Sequence, residues 1–215
     1  IFYSIQGEGR NIGKPAIFIR LQGCNLWPNQ TCPWCDTKYA QNPHNGVEMS
    51  VDDIMCEVNR LILHRNLYPI VVITGGEPLM QQDELVDLVE RLRNMGLWVE
   101  IEANGTIAPK PELIKHVRLF TISPKPWAYF EKAWIDVYSY AKVGIAFKFV
   151  ISCEHDLNWV DIFVKHYGIS PAIVYLMPQA TKVRQHNKRL KMCIEHALMR
   201  GYNVTPRLQV LAGVR

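Results

Sequence analysis

The sequence has no long hydrophobic run, since no apolar stretch among its 215 residues approaches the roughly 20 that a membrane-spanning helix needs. Its first residues, IFYSIQGEGR, lack the basic segment and the apolar core of a secretory signal peptide. It also shows no internal repeat, low-complexity tract or linker composition. We therefore expect a cytoplasmic protein that forms a single domain over residues 1–215.

A concentrated basic stripe is also missing. The 24 basic and 20 acidic residues give a formal net charge of only +4, and the basic residues are scattered. A nucleic-acid-binding surface usually needs such residues clustered on one face, so we expect no nucleic-acid partner. Hydrophobic residues at 48% and charged residues at 20% are typical of a globular chain and not of a disordered one.

Short apolar segments rich in β-branched residues alternate with helical patterns. One helix is predicted to begin after Ser50, a second to end at Gly96 and a third to end at Gly201. Strands that alternate with helices favour parallel βαβ units. The segments predicted as strands are 16–21, 70–74, 97–102, 118–123, 146–152, 172–177 and 207–211.

Seven strands in 215 residues fall short of a complete eightfold barrel, which takes about 250 residues. The sequence therefore predicts an α/β fold built as a partial (β/α) barrel, open on one side. Function is expected at the carboxyl ends of its strands. Residues 124–145 are rich in aromatic side chains and break the rhythm, so we expect an insertion at 126–145 that covers one face.

Three of the six cysteines, Cys24, Cys32 and Cys35, lie within twelve residues in the pattern C-x7-C-x2-C. Thiolates at this spacing suit zinc or an iron–sulfur cluster. A closed zinc site needs four ligands, and His44 and Cys56 lack the usual knuckle spacing. We favour an open three-cysteine metal site, with a closed zinc site or unligated thiols as alternatives. The cysteines predicted to be packing residues are Cys56, Cys153 and Cys193.

The segment Thr74-Gly75-Gly76-Glu77-Pro78 follows the apolar run at 70–74. Two glycines at the carboxyl end of a strand leave backbone groups open to a ligand and allow positive φ. Alone, the pattern indicates only a turn at the strand exit. Together with a three-cysteine loop at another strand end, it becomes far more specific.

These residues together resemble the radical S-adenosylmethionine (radical SAM) superfamily and, within it, the family of 7-carboxy-7-deazaguanine synthases. One departure is the first cysteine gap, which has seven residues where the superfamily usually has three. The C-terminal RLQVLAGVR also lacks the His-Lys segment that often supplies this family's final substrate contact. The matching segments run almost from end to end: residues 2–9, 15–25, 32–37, 71–78, 101–106, 122–126, 147–152, 176–179 and 207–210.

The resemblance implies a radical SAM type of barrel and a carbon–nitrogen lyase. Cys24, Cys32 and Cys35 would ligate a 4Fe–4S cluster whose fourth iron binds SAM, and Thr37 would bind Mg²⁺. Reductive cleavage of SAM would then start the conversion of 6-carboxy-5,6,7,8-tetrahydropterin into 7-carboxy-7-deazaguanine and ammonia. The resemblance further implies a homodimer, a small-molecule pterin substrate and a reducing electron donor.

Matching positions also imply two sets of contacts around this cluster. Glu102 and Asn104 would face the same side of the fold with a lesser role, and Glu8 is interpreted as no more than a turn charge. The SAM-binding residues would be Trp34, Gly76, Ser123, Pro124, Lys125, Met177, Pro178 and Gln179. The substrate-binding residues would be Ile5, Gln6, Gly7, Arg20 and Thr74.

Two other functions remain open from the sequence. A radical SAM activating enzyme would place a radical on a partner protein and would need a docking surface instead of the pterin-facing set. A zinc-binding interaction module would have no catalysis at all. Metal analysis distinguishes the zinc-binding module from a radical SAM enzyme, because iron and sulfide bound to the chain would exclude the module.

Overall fold

The computed structural model describes residues 1–63, 69–141 and 143–213. Eight strands form one sheet in which the spatial order follows the chain order. The first two strands pair antiparallel, and every later neighbour pairs parallel. The strands are β1 (Phe2–Ile5), β2 (Pro15–Leu21), β3 (Ile70–Gly75), β4 (Val99–Ala103), β5 (Leu119–Ile122), β6 (Gly144–Ile151), β7 (Val174–Pro178) and β8 (Asn203–Val204).

Seven α-helices lie among the described residues, and the longer ones follow strands as the alternating pattern predicts. Ser50 caps the first, because its hydroxyl accepts from the Asp53 amide at 3.1 Å while the Asp53 carboxylate accepts from the Ser50 amide at 3.0 Å. Gly201, at φ 72°, ends the sixth helix as predicted. The helices are α1 (Val51–Leu63), α2 (Gln82–Asn94), α3 (Pro111–His116), α4 (Ala133–Tyr140), α5 (Glu154–Tyr167), α6 (Val183–Arg200) and α7 (Leu208–Ala212).

The sheet is an open barrel, because β1 and β8 pair with each other nowhere in the described ranges. This confirms the predicted fold class. The segments that follow the two edge strands nevertheless meet, since the Gly9 amide donates to Thr205 Oγ1 at 2.7 Å and the Leu208 amide to the Gly7 carbonyl at 3.0 Å. None of the described helices is long and apolar enough to cross a membrane.

The two faces of the strands differ in chemistry. On β2, Ile17 and Ile19 belong to the large core between sheet and helices, whereas Ala16 and Phe18 form a small cluster on the opposite face. Side chains two residues apart share a face, so that inner face continues to Arg20 at the carboxyl end of the strand. The inner face of β2 therefore changes from apolar to basic towards the carboxyl end of the strand.

The observed elements differ from the predicted ones near the two ends of the chain. The predicted strand at 207–211 is wrong, because Leu208–Ala212 is the short helix α7; a five-residue segment with apolar residues at 208, 210 and 211 fits either element. The edge strands β1 and β8 were not predicted, since they have four and two residues. The 126–145 segment contains α4, which lies between β5 and β6 and packs its fully buried Trp134 on Phe120. Its status as an insertion stays a prediction.

Candidate active site

A cavity of about 610 Å³ opens at the carboxyl ends of the strands. It is lined by all the residues predicted to bind the cluster, SAM, Mg²⁺ or substrate, except Pro124 and Pro178, which are buried. These lining residues come from segments spread along the whole sequence. The fold thus gathers the predicted set in one place, while the role of each residue stays a prediction.

The three half-buried thiols lie on the cluster loop, which we define as residues 24–37. Its start is fixed by the Cys24 amide, which donates to the Gln41 carbonyl at 3.0 Å. The Cys35 amide donates to the Cys32 carbonyl at 3.1 Å and closes the turn between these two cysteines. Burial raises the pKa of the Cys24 and Cys32 thiols, and the nearby Lys125 ammonium opposes that rise.

No group of three described His, Cys, Asp or Glu side chains converges as ligands for a single ion. A four-iron cluster makes a different demand, because each thiolate binds its own iron and the sulfurs stand further apart. Thiolates are the ligands that hold such clusters. The donor set of Cys24, Cys32 and Cys35 therefore fits an iron–sulfur cluster better than one closed zinc ion.

The GGEP turn packs directly on the start of the cluster loop. The Glu77 amide donates to the Gly23 carbonyl at 2.7 Å, and a Cβ added to Gly76 would lie only 1.9 Å from that same oxygen. The Glu77 carboxylate is buried and accepts from the Leu79 amide at 3.0 Å and the Asn104 amide at 2.6 Å. Burial raises the Glu77 pKa to about 7. This turn joins the ends of β3 and β4 to the cysteines.

We define the polar wall as the cavity-lining side chains of Gln6, Glu8, Thr74, Glu102 and Lys148. Glu102 lies at its centre, a more prominent place than the sequence indicated. Its carboxylate accepts from Gln6 Nε2 at 3.1 Å and lies 3.5 Å from both Thr74 Oγ1 and Lys148 Nζ. Two residues that we predicted to bind substrate thus contact one acidic side chain. Lys148 itself was missed, although a lysine within the apolar run AFKFVIS was the available signal, because lysine is almost never fully buried unless it is paired.

The interpretation of Glu8 as only a turn charge is wrong. Its carboxylate accepts from Lys148 Nζ at 2.9 Å, from Arg207 Nε at 2.9 Å and from Gln209 Nε2 at 2.6 Å. Burial alone would favour the neutral acid, but the two cations outweigh it and lower the Glu8 pKa to about 2. Arg207 and Gln209 were also missed, because only the fold brings the C-terminal segment to this wall.

The remaining predicted residues surround the cluster loop. The Arg20 guanidinium lies 5.9 Å from the ring centroids of Phe2 and Tyr39, and within the described chain its buried Nε has no hydrogen-bond partner. Thr37 Oγ1 donates to the Asp36 carboxylate at 2.9 Å. An unpartnered guanidinium N–H in a cavity wall is suited to an anionic group of a ligand.

Several residues that we predicted to bind SAM have contacts of their own in the cavity wall. Lys125 Nζ donates to Ser123 Oγ at 2.7 Å, and burial lowers the Lys125 pKa. Trp34 makes an edge contact with Trp127 at 4.7 Å between ring centroids, which covers the loop. Gln179 Oε1 accepts from Arg189 at 2.6 Å. These contacts fix the walls around the thiols.

Comparison with known proteins agrees with this geometry. Residues 19–125 match the family model of the radical SAM superfamily. The 7-carboxy-7-deazaguanine synthase of Pyrobaculum aerophilum is 39% identical over 99% of this chain and 92% of that protein. The synthase of Hyperthermus butylicus is 35% identical over 98% of this chain and 90% of that protein.

Solved structures show the same fold. QueE from Escherichia coli superposes with a TM-score of 0.71 at 24% identity, over 95% of this chain and 90% of that chain. The structure of anSMEcpe with bound AdoMet gives a TM-score of 0.61 at 16% identity, over 93% of this chain and 64% of that chain. At these identities the likeness concerns the fold.

Proposed function

This chain belongs to the 7-carboxy-7-deazaguanine synthase family of the radical SAM superfamily, and we propose that it converts 6-carboxy-5,6,7,8-tetrahydropterin into 7-carboxy-7-deazaguanine and ammonia. It is a radical SAM lyase that uses SAM and an iron–sulfur cluster. The observation that carries the substrate proposal is the single cavity in which the cluster loop, the GGEP turn and the polar wall meet.

Cys24, Cys32 and Cys35 would hold three irons of a 4Fe–4S cluster. The chemistry that this group supplies with SAM is a one-electron cleavage that yields a 5′-deoxyadenosyl radical able to abstract a substrate hydrogen. The protein's task is to bind, orient and shield the reactants. Gly76 would offer its backbone to the methionine end of SAM. Side chains for the rest of SAM would come from Trp34, Ser123, Lys125, Met177 and Gln179, with Pro124 and Pro178 shaping their turns.

The polar wall would bind and orient the pterin. The amide of Gln6 carries both a donor and an acceptor, which suits the edge of a pterin ring, and it extends from the Ile5–Gly7 segment. Thr74 would add a second polar contact. The planar fork of Arg20 would pair with the substrate carboxylate, which also explains why its Nε has no protein partner in the described residues.

Thr37 would bind Mg²⁺ together with the substrate carboxylate and water. Mg²⁺ prefers oxygen ligands, keeps several waters and usually takes only one or two ligands from the protein. The Thr37 hydroxyl lies on the cavity wall directly after the last cluster cysteine, beside the Asp36 carboxylate. An oxygen ligand in this position would hold the substrate carboxylate near the cluster.

The same family membership supports the rest of the proposal. The chain would act as a single domain over residues 1–215, as a homodimer, and would take electrons from a reducing donor. Three cysteines that must stay reduced for ligation suit the cytoplasm. The walls of the cavity would recognise a small molecule, not a protein partner.

The test is anaerobic reconstitution with iron and sulfide, followed by incubation with SAM, a reductant and the carboxytetrahydropterin. We expect 7-carboxy-7-deazaguanine and 5′-deoxyadenosine by mass spectrometry. Formation of 5′-deoxyadenosine without that product would reject the substrate and leave the activating enzyme as the alternative. One zinc and no iron per chain would contradict the hypothesis of a radical SAM enzyme and favour the interaction module.

A further inference from the structure

The C-terminal segment contains a buried arginine that contacts two distant parts of the site. Arg207 is 6% exposed, although arginine is seldom buried without partners. Its Nε donates to Glu8 Oε1 at 2.9 Å, and its Nη1 donates to the Ala180 carbonyl at 2.5 Å. Its Nη2 donates to the Asp36 carboxylate on the cluster loop. Every nitrogen of this guanidinium therefore has a partner.

The first of these contacts reaches the segment that we propose binds the pterin. Glu8 follows Gly7 directly, and the Leu208 amide donates to the Gly7 carbonyl at 3.0 Å. Gln209 packs closely against position 7, because a Cβ there would lie 2.1 Å from its Oε1. The start of α7 thus holds the 6–8 backbone by charge, by hydrogen bond and by close packing.

The second contact reaches the cluster loop at an exposed residue, Asp36. Asp36 stands between the last cluster cysteine and Thr37, and its side chain is 49% exposed. A carboxylate that is half in water gains little from an isolated surface pair, whereas a buried guanidinium fixed by two other bonds, to Glu8 and to the Ala180 carbonyl, is already oriented for it. The position of Asp36, and with it the end of the loop, is therefore set by Arg207.

We propose that Arg207 is a positioning residue that fixes the pterin-binding segment relative to the cluster loop by bridging Glu8 and Asp36. The inference rests on the proposed function, because the substrate role of residues 5–7 is part of that function. Lysine could not replace this arginine, since an ammonium is a compact point charge and cannot hold two carboxylates and a carbonyl in one plane. The bridge acts on substrate orientation and leaves cluster ligation to the three cysteines.

The test compares reconstituted wild type with Arg207→Gln, Asp36→Asn and the double variant. A matched control is Arg200→Gln, because Arg200 pairs with Asp161 on the far helix and is 53% exposed. Two quantities are measured without reductant: hydrogen exchange of the amides at 5–9 and 24–37, and the dissociation constant of the carboxytetrahydropterin. Iron content and the dissociation constant of SAM serve as checks on the cluster site.

We expect Arg207→Gln to accelerate exchange in both segments and to weaken pterin binding about tenfold, with iron content and SAM affinity unchanged. The double variant should show the same amide exchange and pterin affinity as Arg207→Gln, because that single substitution already removes the whole bridge. Unchanged exchange at 24–37, or effects of the two single variants that simply add, would overturn the proposal. Since exchange needs no substrate, this failure is distinguishable from a failure of the proposed function.

If Arg207→Gln does not fold, Asp36→Asn alone decides. Asp36 is half-exposed and its replacement by Asn keeps its size, so the variant should fold. Faster exchange at 5–9, a segment that Asp36 reaches through the Arg207 guanidinium, supports the bridge. Exchange at 5–9 equal to that of wild type would contradict it.

Discussion

At the residue scale, two buried glutamates of this protein have opposite acidities because their neighbours differ. The Glu8 carboxylate faces Lys148 and Arg207, and these cations hold its pKa down at about 2 in spite of burial. Glu100 is fully buried, and its carboxylate accepts from Asn11 Nδ2 at 2.9 Å and from Thr121 Oγ1 at 2.6 Å. Burial raises its pKa to about 7, and the nearby Glu102 charge raises it further. Charge partners, and not burial alone, decide which carboxylate is ionised.

The raised pKa of Glu100 predicts a pH-dependent loss of stability. In the unfolded chain this carboxyl titrates near 4.5, so between that pH and about 7 the folded protein binds the extra proton. Its contribution to stability is therefore complete below 4.5 and is lost as the pH rises through 7. Glu100→Gln removes the titration, and we expect the variant to gain about 2–3 kcal/mol relative to wild type between pH 5 and 8, since one pKa unit is about 1.4 kcal/mol.

Urea unfolding of both proteins at pH 5 and pH 8, under anaerobic conditions, measures this difference. Glu90→Gln serves as the control, because Glu90 is an exposed residue of α2. The prediction is contradicted if Glu100→Gln and wild type differ in their free energy of unfolding by the same amount at pH 5 and at pH 8. That result would show that Glu100 is ionised throughout.

Cys32→Ala tests the cluster ligands. Removal of one thiolate leaves two, so we expect the cluster to be lost or unstable and SAM cleavage to fall below detection. Iron content and 5′-deoxyadenosine formation after reconstitution measure both effects. Cys56→Ala is the matched control, since Cys56 is an exposed residue of α1 outside the cavity, and it should keep wild-type values. A fully active Cys32→Ala enzyme would contradict the assigned ligands.

Thr37→Ala separates the Mg²⁺ site from the cluster. The cysteines are untouched, so iron content should match wild type, while loss of the hydroxyl should weaken the stimulation of turnover by Mg²⁺ about tenfold or more. Initial rates over a Mg²⁺ titration provide the measurement, with Thr31→Ala as a control on the same loop. Mg²⁺ dependence equal to that of wild type would reject the role of Thr37.

At the scale of elements, the end of β3 and the start of the cluster loop form one packed unit. The Gly76 amide donates to the Leu21 carbonyl at 3.2 Å, and the backbone of Gly23 lies where a side chain at position 76 would have to go. Neither partner can move without shifting the first cluster cysteine. The glycine is therefore needed for close approach, whatever its contact with SAM.

This packing predicts that Gly76→Ala is damaging far beyond a single methyl group. Steric overlap with backbone that cannot yield should displace the loop, costing several kcal/mol in the free energy of unfolding by analogy with overpacked cores and abolishing SAM binding. Chemical denaturation and equilibrium dialysis with SAM measure the two losses.

Gly96→Ala provides the comparison for Gly76→Ala. Gly96 has a φ of 80° and open space around it, so alanine there should cost only about 1 kcal/mol and leave SAM binding intact. Equal SAM affinity in both variants would mean that the cluster loop tolerates the displacement.

At the scale of the whole molecule, family membership predicts a homodimer. Light scattering coupled to size exclusion should give about 50 kDa, twice the 24.8 kDa of one chain. The mass should persist on dilution across the concentrations used for assays, because an obligate interface is large and apolar. A mass of one chain at all concentrations would contradict the prediction.

The sequence by itself determined the chemistry of this protein and most of its elements. Three thiolates at close spacing and two glycines at a strand exit are local patterns, so they can be recognised in the sequence without the tertiary structure. Six of the eight strands were predicted for the same reason, since each is a short apolar run bounded by turn residues. The short segment after Arg207 was assigned wrongly, because five residues, of which Gln209 is polar, are too few to show a periodicity that separates strand from helix.

Only the tertiary structure decided which charges meet. Glu8, Lys148 and Arg207 come from opposite ends and the middle of the chain, and no spacing in the sequence relates them. Their pairing depends on the open barrel. In it, the segments after the two edge strands approach each other, and β6 projects Lys148 inward towards them. Coulomb forces act through space, and they become strong only where folding has removed the water.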